Sequence, residues 1–181
     1  MTIPRAPDRL SDDMATAIGH AVSGFGFLEE ALKRAIFSLT RKGLGQDVSE
    51  KAMRKWLRRM EDIADDTLGT LIDSFVAAMK QAEVADRHIL ADELYRIRPL
   101  RNLLCHASWR KGREPGYWHP TFINTKGEHY PDDMSPDDVL TIHADTLGTA
   151  RRVVSVMRAT GIDGEWAGWD DANLDNTEAP R

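Results

Sequence analysis

The stretch LYRIRPLRNLLCHASWR, residues 94–110, decides the fold prediction. On a helix, where successive residues are about 100° apart, its apolar side chains gather on one half of the cylinder. The apolar half holds Leu94, Ile97, Leu100, Leu103, Leu104 and Ala107, and the polar half holds Tyr95, Arg98, Arg101, Asn102, Cys105, His106 and Trp109. Residues four apart lie one above the other, so Asn102 and His106 are neighbours with Arg98 one turn below. The stretch predicts a half-buried helix with a guanidinium, an amide and an imidazole on its solvent side.

Helical patterns flank this stretch on both sides. A first helix is predicted from Ser11 to Gly43, because a capping serine precedes two aspartates and apolar residues recur every three or four positions. The region 47–81 has the same periodicity, with a capping box expected on Asp47 and an interruption near residues 62–67. The pattern leaves open whether this region is one long helix or two. Ser135, followed by proline and two aspartates, predicts the start of the last helix.

A helix break and a turn separate the central stretch from the last helix. KGREPG, residues 111–116, ends the helix, and residues 116–131 alternate and turn at Asn124 to Gly127, which predicts a β-hairpin. The predicted fold class is therefore all-α, a bundle of four to five helices with a small β-hairpin inserted before the last helix. We expect one helical domain over residues 1–162 and an acidic tail over residues 163–181.

Composition is that of an ordinary globular protein. The chain has 181 residues, of which 41% are hydrophobic and 29% are charged, and this favours a single domain. Its N-terminus lacks the apolar core of a signal peptide, and no apolar run is long enough to span a bilayer. We therefore expect a cytoplasmic protein with no membrane partner. Because Cys105 is the single cysteine, an internal disulfide and a thiolate zinc cluster are excluded.

The net charge of −5 is carried by the acidic tail. Residues 163–181 contain six carboxylates and a single cation, Arg181, so the charges of residues 1–162 sum to zero. The tail is rich in Gly, Asn and Asp, which is typical of a solvated segment. Packing of Trp166 and Trp169 against the bundle, or mimicry of RNA by the carboxylates, remain alternatives.

A stripe of cations occupies one side of the helix predicted after residue 47. Its members are Lys51, Arg54, Lys55, Arg58 and Arg59, at spacings of three and four residues. Such a stripe can follow a phosphate backbone. A solvated helix face is the more common explanation of the same pattern. Together with Arg98, the stripe supplies the candidate RNA-binding residues.

Motifs for metals and nucleotides do not occur in the sequence. We find no HExxH, no zinc-type Cys/His spacing, no EF-hand loop and no phosphate-binding loop. We therefore predict no metal and no cofactor. His20, His88 and His143 are interpreted as ordinary helix residues.

The segment RNLLCHASW, residues 101–109, resembles the Arg-x(4–6)-His signature of the HEPN superfamily, in which a polar residue commonly follows the arginine. Arg113 and His119 satisfy the same loose spacing, but they flank Pro115 and Gly116 in a loop. The order of helices and hairpin extends the resemblance over most of residues 10–162, although only the nine-residue motif is residue-specific. Cys105 and Ala107 depart from the pattern, since a glycine often follows the family's histidine.

The resemblance implies a fold and an activity. HEPN ribonucleases are symmetric homodimers with a composite, metal-independent site, and many act as toxins or in antiviral defence. They cleave RNA to a 2′,3′-cyclic phosphate and a 5′-hydroxyl. By this resemblance Arg101 stabilises the phosphate and His106 performs acid–base chemistry. Asn102 orients the imidazole or a phosphate oxygen. The implied partners are RNA, a second copy, and a cognate antitoxin or nucleotidyltransferase.

The residue chemistry agrees with that implication but leaves alternatives open. An imidazole can give or take a proton at neutral pH, and a guanidinium fork matches phosphate oxygens. In the alternative interpretation His106 is an ordinary helix histidine and Arg101 is an ion-pair partner. The domain is then a non-catalytic HEPN-like module that binds nucleotide, RNA or a partner protein, or a purely structural helical dimer.

Overall fold

The structure, a computed structural model, describes residues 7–122 and 129–162. The elements in chain order are α1 (Asp12–Gly43), α2 (Glu50–Ala64), α3 (Leu68–Gln81), α4 (Arg87–His106), β1 (Ser108–Lys111), β2 (Trp118–Thr121) and α5 (Pro136–Arg158). The predicted all-α fold with a small hairpin before the last helix is confirmed. The region 47–81 contains two helices, because the chain leaves the helical path at Asp65 and restarts after Thr67.

Serine caps begin three of the described helices, as their side chains satisfy backbone N–H groups that the first turn leaves unpaired. Ser11 Oγ accepts from the Met14 N–H at 3.4 Å. Ser135 forms a reciprocal capping box with Asp138, so the predicted start of the last helix is confirmed. The box predicted on Asp47 is wrong, because Ser49 is the cap of α2 and its Oγ accepts from the Ala52 N–H.

The core lies between α1, α3, α4 and α5 and is built from one apolar side of each helix. Its largest fully buried side chains include Phe25, Leu28, Leu32, Phe75, Leu94 and Leu103. The axis of α1 approaches α5 closely at Gly24, where an added Cβ would lie 2.8 Å from Nδ1 of His143. Gly19 and Gly26 face open space, so the close approach of α1 to α5 occurs at Gly24 alone of these three glycines.

The helix of the central stretch ends earlier than predicted. It stops at His106, and β1 then pairs antiparallel with β2, with Trp109 opposite Pro120. This pairing buries the Trp109 ring, which is 6% exposed rather than on the solvent side of a helix. The predicted hairpin strands are thus corrected, since β2 pairs with the preceding residues 108–111. The turn predicted at Asn124 to Gly127 falls on residues 123–128, which lie outside the described residues.

Helix α2 is attached to the rest of the bundle mainly through one aromatic side chain. The ring of Trp56 packs on Phe37 with centroids 4.8 Å apart, and its Nε1–H donates to Thr40 Oγ1 at 2.9 Å. Ile63 is the other buried residue of this helix. Among the described helices, none has the length and apolar character needed to cross a membrane.

Candidate active site

The last two turns of α4 present the predicted motif on one accessible side. Leu103 and Leu104 are buried on the opposite side, which fixes the rotation of the helix. Arg101 and Asn102 are consequently half-buried, whereas Cys105 and His106 are exposed. The predicted division of this part of the helix into an apolar and a polar half is therefore confirmed.

His106 is the final residue of α4, and its position follows from the way the helix ends. Ala107 adopts extended backbone, and its N–H still donates to the Leu103 carbonyl at 2.9 Å. The chain then enters β1, so the imidazole lies at the junction between the helix and the hairpin. This junction is held from the other side by Asp8, whose N–H donates to the Trp109 carbonyl and whose carboxylate accepts from the Lys111 N–H.

Arg101 forms an ion pair with Glu29 in the middle of α1. The Arg101 Nη2 to Glu29 Oε1 distance is 3.2 Å, and the two side chains are 25% and 26% exposed. Partial burial reduces solvent screening of this pair relative to a pair on the open surface. The contact holds the guanidinium in a fixed orientation and leaves further N–H groups of its fork for another oxygen. It is also the contact expected if Arg101 serves only as an ion-pair partner.

The surroundings of Cys105 do not activate its thiol as a nucleophile. Packing of protein around its sulfur raises the pKa of the thiol, although the Arg101 charge opposes the shift and Glu29 adds to it. The thiolate is the reactive form, so a raised pKa lowers reactivity at neutral pH. The chemistry available here is therefore that of the guanidinium, the amide and the imidazole.

Arg98 points to α3 and takes part in a structural contact. Its Nη1 lies 3.7 Å from Asp73 Oδ2, and Tyr95 donates to the same carboxylate at 3.1 Å. A Cβ added at Gly69 would lie 3.2 Å from Arg98 Nε, so the side chain lies over the start of α3. Arg98 was predicted to bind RNA, and in the structure one carboxylate already neutralises part of its charge.

The cationic stripe of α2 is exposed, as its spacing predicts. Its five members are Lys51, Arg54, Lys55, Arg58 and Arg59, and Arg54 forms an ion pair with Glu50 at 2.7 Å. Lys55, Arg58 and Arg59 line a groove that also contacts the C-terminal ends of α1, α3 and α5. Leu39 in this groove is ten residues beyond Glu29, about 15 Å along α1 at ~1.5 Å per residue. Within one copy, the groove is thus separated from the Arg101 and His106 side chains.

A second oriented histidine was missed by the sequence analysis. His119 Nδ1 lies 2.9 Å from Asp133 Oδ1, and Asp133 Oδ2 accepts from the Arg113 N–H at 2.7 Å. The Arg113 N–H and the His119 ring lower the pKa of Asp133, so its carboxylate is the acceptor for Nδ1–H of His119. Residues 119 and 133 are brought together by the bridge between Trp118 and Met134, so no local spacing indicated the pair.

His20 of α1 packs against His143 of α5. The His20 and His143 rings have centroids 5.7 Å apart, and burial together with the charge of His20 lowers the pKa of His143. No described residue bonds to Nδ1 of His143, which is buried against Gly24. These contacts agree with a packing role. Across residues 7–122 and 129–162, no three side chains of the types His, Cys, Asp and Glu are grouped to hold a metal ion.

Comparisons with protein-family models, with curated proteins and with solved structures each find no significant match to this chain. The function of the chain is consequently inferred from the residues themselves and from the resemblance of the motif.

Proposed function

We propose that the protein is a metal-independent endoribonuclease of the HEPN type. The observation that carries the proposal is the accessible row of Arg101, Asn102 and His106 on the last two turns of α4. Two of the three are half-buried and so are limited in their movement. A positioned cation and an exposed imidazole are the groups that phosphodiester cleavage requires.

The reaction assigns a step to each group. The RNA 2′-hydroxyl attacks the adjacent phosphorus, a base takes its proton, and the 5′-oxygen leaves after an acid protonates it. Arg101 stabilises the charge that develops on the non-bridging phosphate oxygens. His106 acts as base or acid, and Asn102 orients the imidazole or a phosphate oxygen. The products are a 2′,3′-cyclic phosphate and a 5′-hydroxyl.

One copy supplies one motif histidine, whereas the reaction uses two proton-transfer groups. A two-fold dimer with the α4 ends facing each other supplies His106 and Arg101 twice to one cleft. His119 is the competing source of a second imidazole. It lies opposite Arg110, which is four residues beyond His106, or up to about 13 Å of extended chain.

The test is cleavage of labelled RNA in EDTA by the native protein and its variants. We expect Arg101→Ala and His106→Ala each to slow cleavage at least about 100-fold, a typical cost of losing a charge-stabilising or proton-transfer group. Arg96→Ala and His88→Ala are matched controls, because both are exposed residues of α4 outside the motif. Equal losses in the controls and the motif variants would refute the assignment.

The source of the second proton-transfer group is tested with His119→Asn. An unchanged cleavage rate for this variant supports the dimeric site. A 100-fold loss of cleavage rate would assign the second proton transfer to His119. Mixing Arg101→Ala with His106→Ala adds a further check. Mixed dimers combine one intact arginine and one intact histidine, so partial recovery of activity supports a shared cleft.

The second candidate function is a non-catalytic HEPN-like module that binds nucleotide, RNA or a partner protein. The Arg101–Glu29 ion pair favours it, because a guanidinium already bound to a carboxylate has less attraction for phosphate. This candidate would be supported if RNA binds the folded dimer without being cleaved and if His106→Ala leaves the RNA affinity unchanged.

A further inference from the structure

A large groove opens between α2 and the C-terminal ends of α1, α3 and α5, and its volume is about 1210 Å³. Apolar atoms form its floor, contributed by Leu39, Leu44, Trp56, Ala78, Val84 and Val156. Four cations line it, namely Lys42, Lys55, Arg58 and Arg59, with Asp62 as the single carboxylate among the described lining residues. The groove therefore combines an apolar surface with an excess of positive charge.

The cations of this groove are available to an external anion. All four side chains are exposed, and within the described part of the chain none of them forms an ion pair or a side-chain hydrogen bond. Like charges gathered around one groove repel each other, and an anionic occupant relieves this repulsion. The occupant that fits must also bring apolar surface for the floor.

Residues 163–181 of the same chain have both properties. Six carboxylates, at positions 163, 165, 170, 171, 175 and 178, accompany the tryptophans Trp166 and Trp169. Moreover, the segment begins beside the groove, because Ala159 and Thr160 line it and described residues end at Ile162. Trp166 is six residues beyond Thr160, a reach of up to about 20 Å when extended. The tryptophans are therefore within range of the floor.

We propose that the acidic segment 163–181 binds in this groove of its own chain. Trp166 and Trp169 cover the apolar floor, and the carboxylates pair with Lys55, Arg58, Arg59 and Lys42. A short tether gives a local concentration in the mM range, so an individually weak contact suffices for occupancy. The segment thereby competes with any other anion, nucleic acid included, for the cations of α2. This inference does not depend on the ribonuclease proposal, since the groove is distant from His106.

Disulfide trapping in the full-length protein tests the proposal. In a Cys105→Ser background, Ala52→Cys marks the groove and Ala167→Cys marks the segment between its tryptophans. Oxidised glutathione should close this intramolecular disulfide at least about tenfold faster than it closes the control pair Ala15→Cys and Ala167→Cys. Ala15 is exposed near the start of α1, about 37 Å from the groove along the helix at ~1.5 Å per residue.

Two further variants separate specific binding from mere tethering. Trp166→Ala with Trp169→Ala, and separately Lys55→Glu with Arg59→Glu, should each slow trapping by about tenfold while the described core is untouched. Restoring charge pairing with Asp170→Lys and Asp171→Lys on the second variant should recover part of the rate. A rate of disulfide formation that none of these changes alters would overturn the proposal. A disulfide that forms only between two copies would overturn it as well.

Discussion

Replacing Gly24 by alanine tests the closest approach of α1 to α5, and Gly19 and Gly26 on the same helix supply matched controls. Each replacement removes the penalty of glycine inside a helix, about 1 kcal/mol relative to alanine. At Gly19 and Gly26 the new methyl group meets open space. Gly19→Ala and Gly26→Ala should therefore each raise the free energy of unfolding by about 0.5–1 kcal/mol.

At Gly24 the same methyl group has no room. It would lie 2.8 Å from Nδ1 and 3.3 Å from Cε1 of His143, so the imidazole must leave its packed position. Overpacking of this kind costs about 1–3 kcal/mol, which cancels or exceeds the helical gain. We therefore expect Gly24→Ala to change the free energy of unfolding by about 0 to −2 kcal/mol.

Urea denaturation, monitored by circular dichroism, gives the differences in the free energy of unfolding when the three variants share one m-value. His143→Ala provides a double-mutant cycle with Gly24→Ala, and we expect a coupling free energy of about 1 kcal/mol or more. The close contact would be refuted if Gly24→Ala stabilised the protein as much as Gly19→Ala does.

Two further predictions concern α5. Ser135→Ala should lower the free energy of unfolding by about 1 kcal/mol, because it removes the Oγ that accepts from the Asp138 N–H and donates to the Asp138 carboxylate. Ser23→Ala on the exposed side of α1 should change it by less than ~0.5 kcal/mol in the same urea assay. Burial and the neighbouring His20 lower the pKa of His143, so the unfolded chain binds the proton more readily. This stability is present above the ordinary histidine pKa of about 6.5 and is lost as the pH falls toward the folded-state pKa. Melting temperatures at pH 7.5 and 5.5 should therefore differ more for the native protein than for His143→Gln, and equal differences would contradict the assignment.

Features set by neighbouring residues were predictable from the sequence. The caps at Ser11 and Ser135 depend on side chains that bond within three residues, so their spacing identifies them. The buried side of α4 follows from helical periodicity in the same way. The accessible row of Arg101, Asn102 and His106 was predictable for that reason.

Features set by distant residues were not predictable from local patterns. The Arg101–Glu29 ion pair joins positions 72 residues apart. The end of α4 at His106 depends on pairing between β1 and β2, which buries Trp109 against the bundle. Ala107 continues the apolar half of the preceding helical pattern, so periodicity alone extended the helix to Arg110. The His119–Asp133 pair likewise depends on the bridge between Trp118 and Met134, residues 16 positions apart.

The attachment of α2 has a consequence for how the groove can change size. One wall is formed by helix ends that belong to the buried core, whereas the other is held chiefly by Trp56 and Ile63. Because α2 contributes only two buried residues, its amide hydrogens should exchange through a partial opening at lower free energy than those of α1 or α5. The groove can thus widen by the departure of a single helix while the rest of the bundle keeps its packing. The size of an occupant that it admits therefore depends on the strength of the contacts made by Trp56 and Ile63.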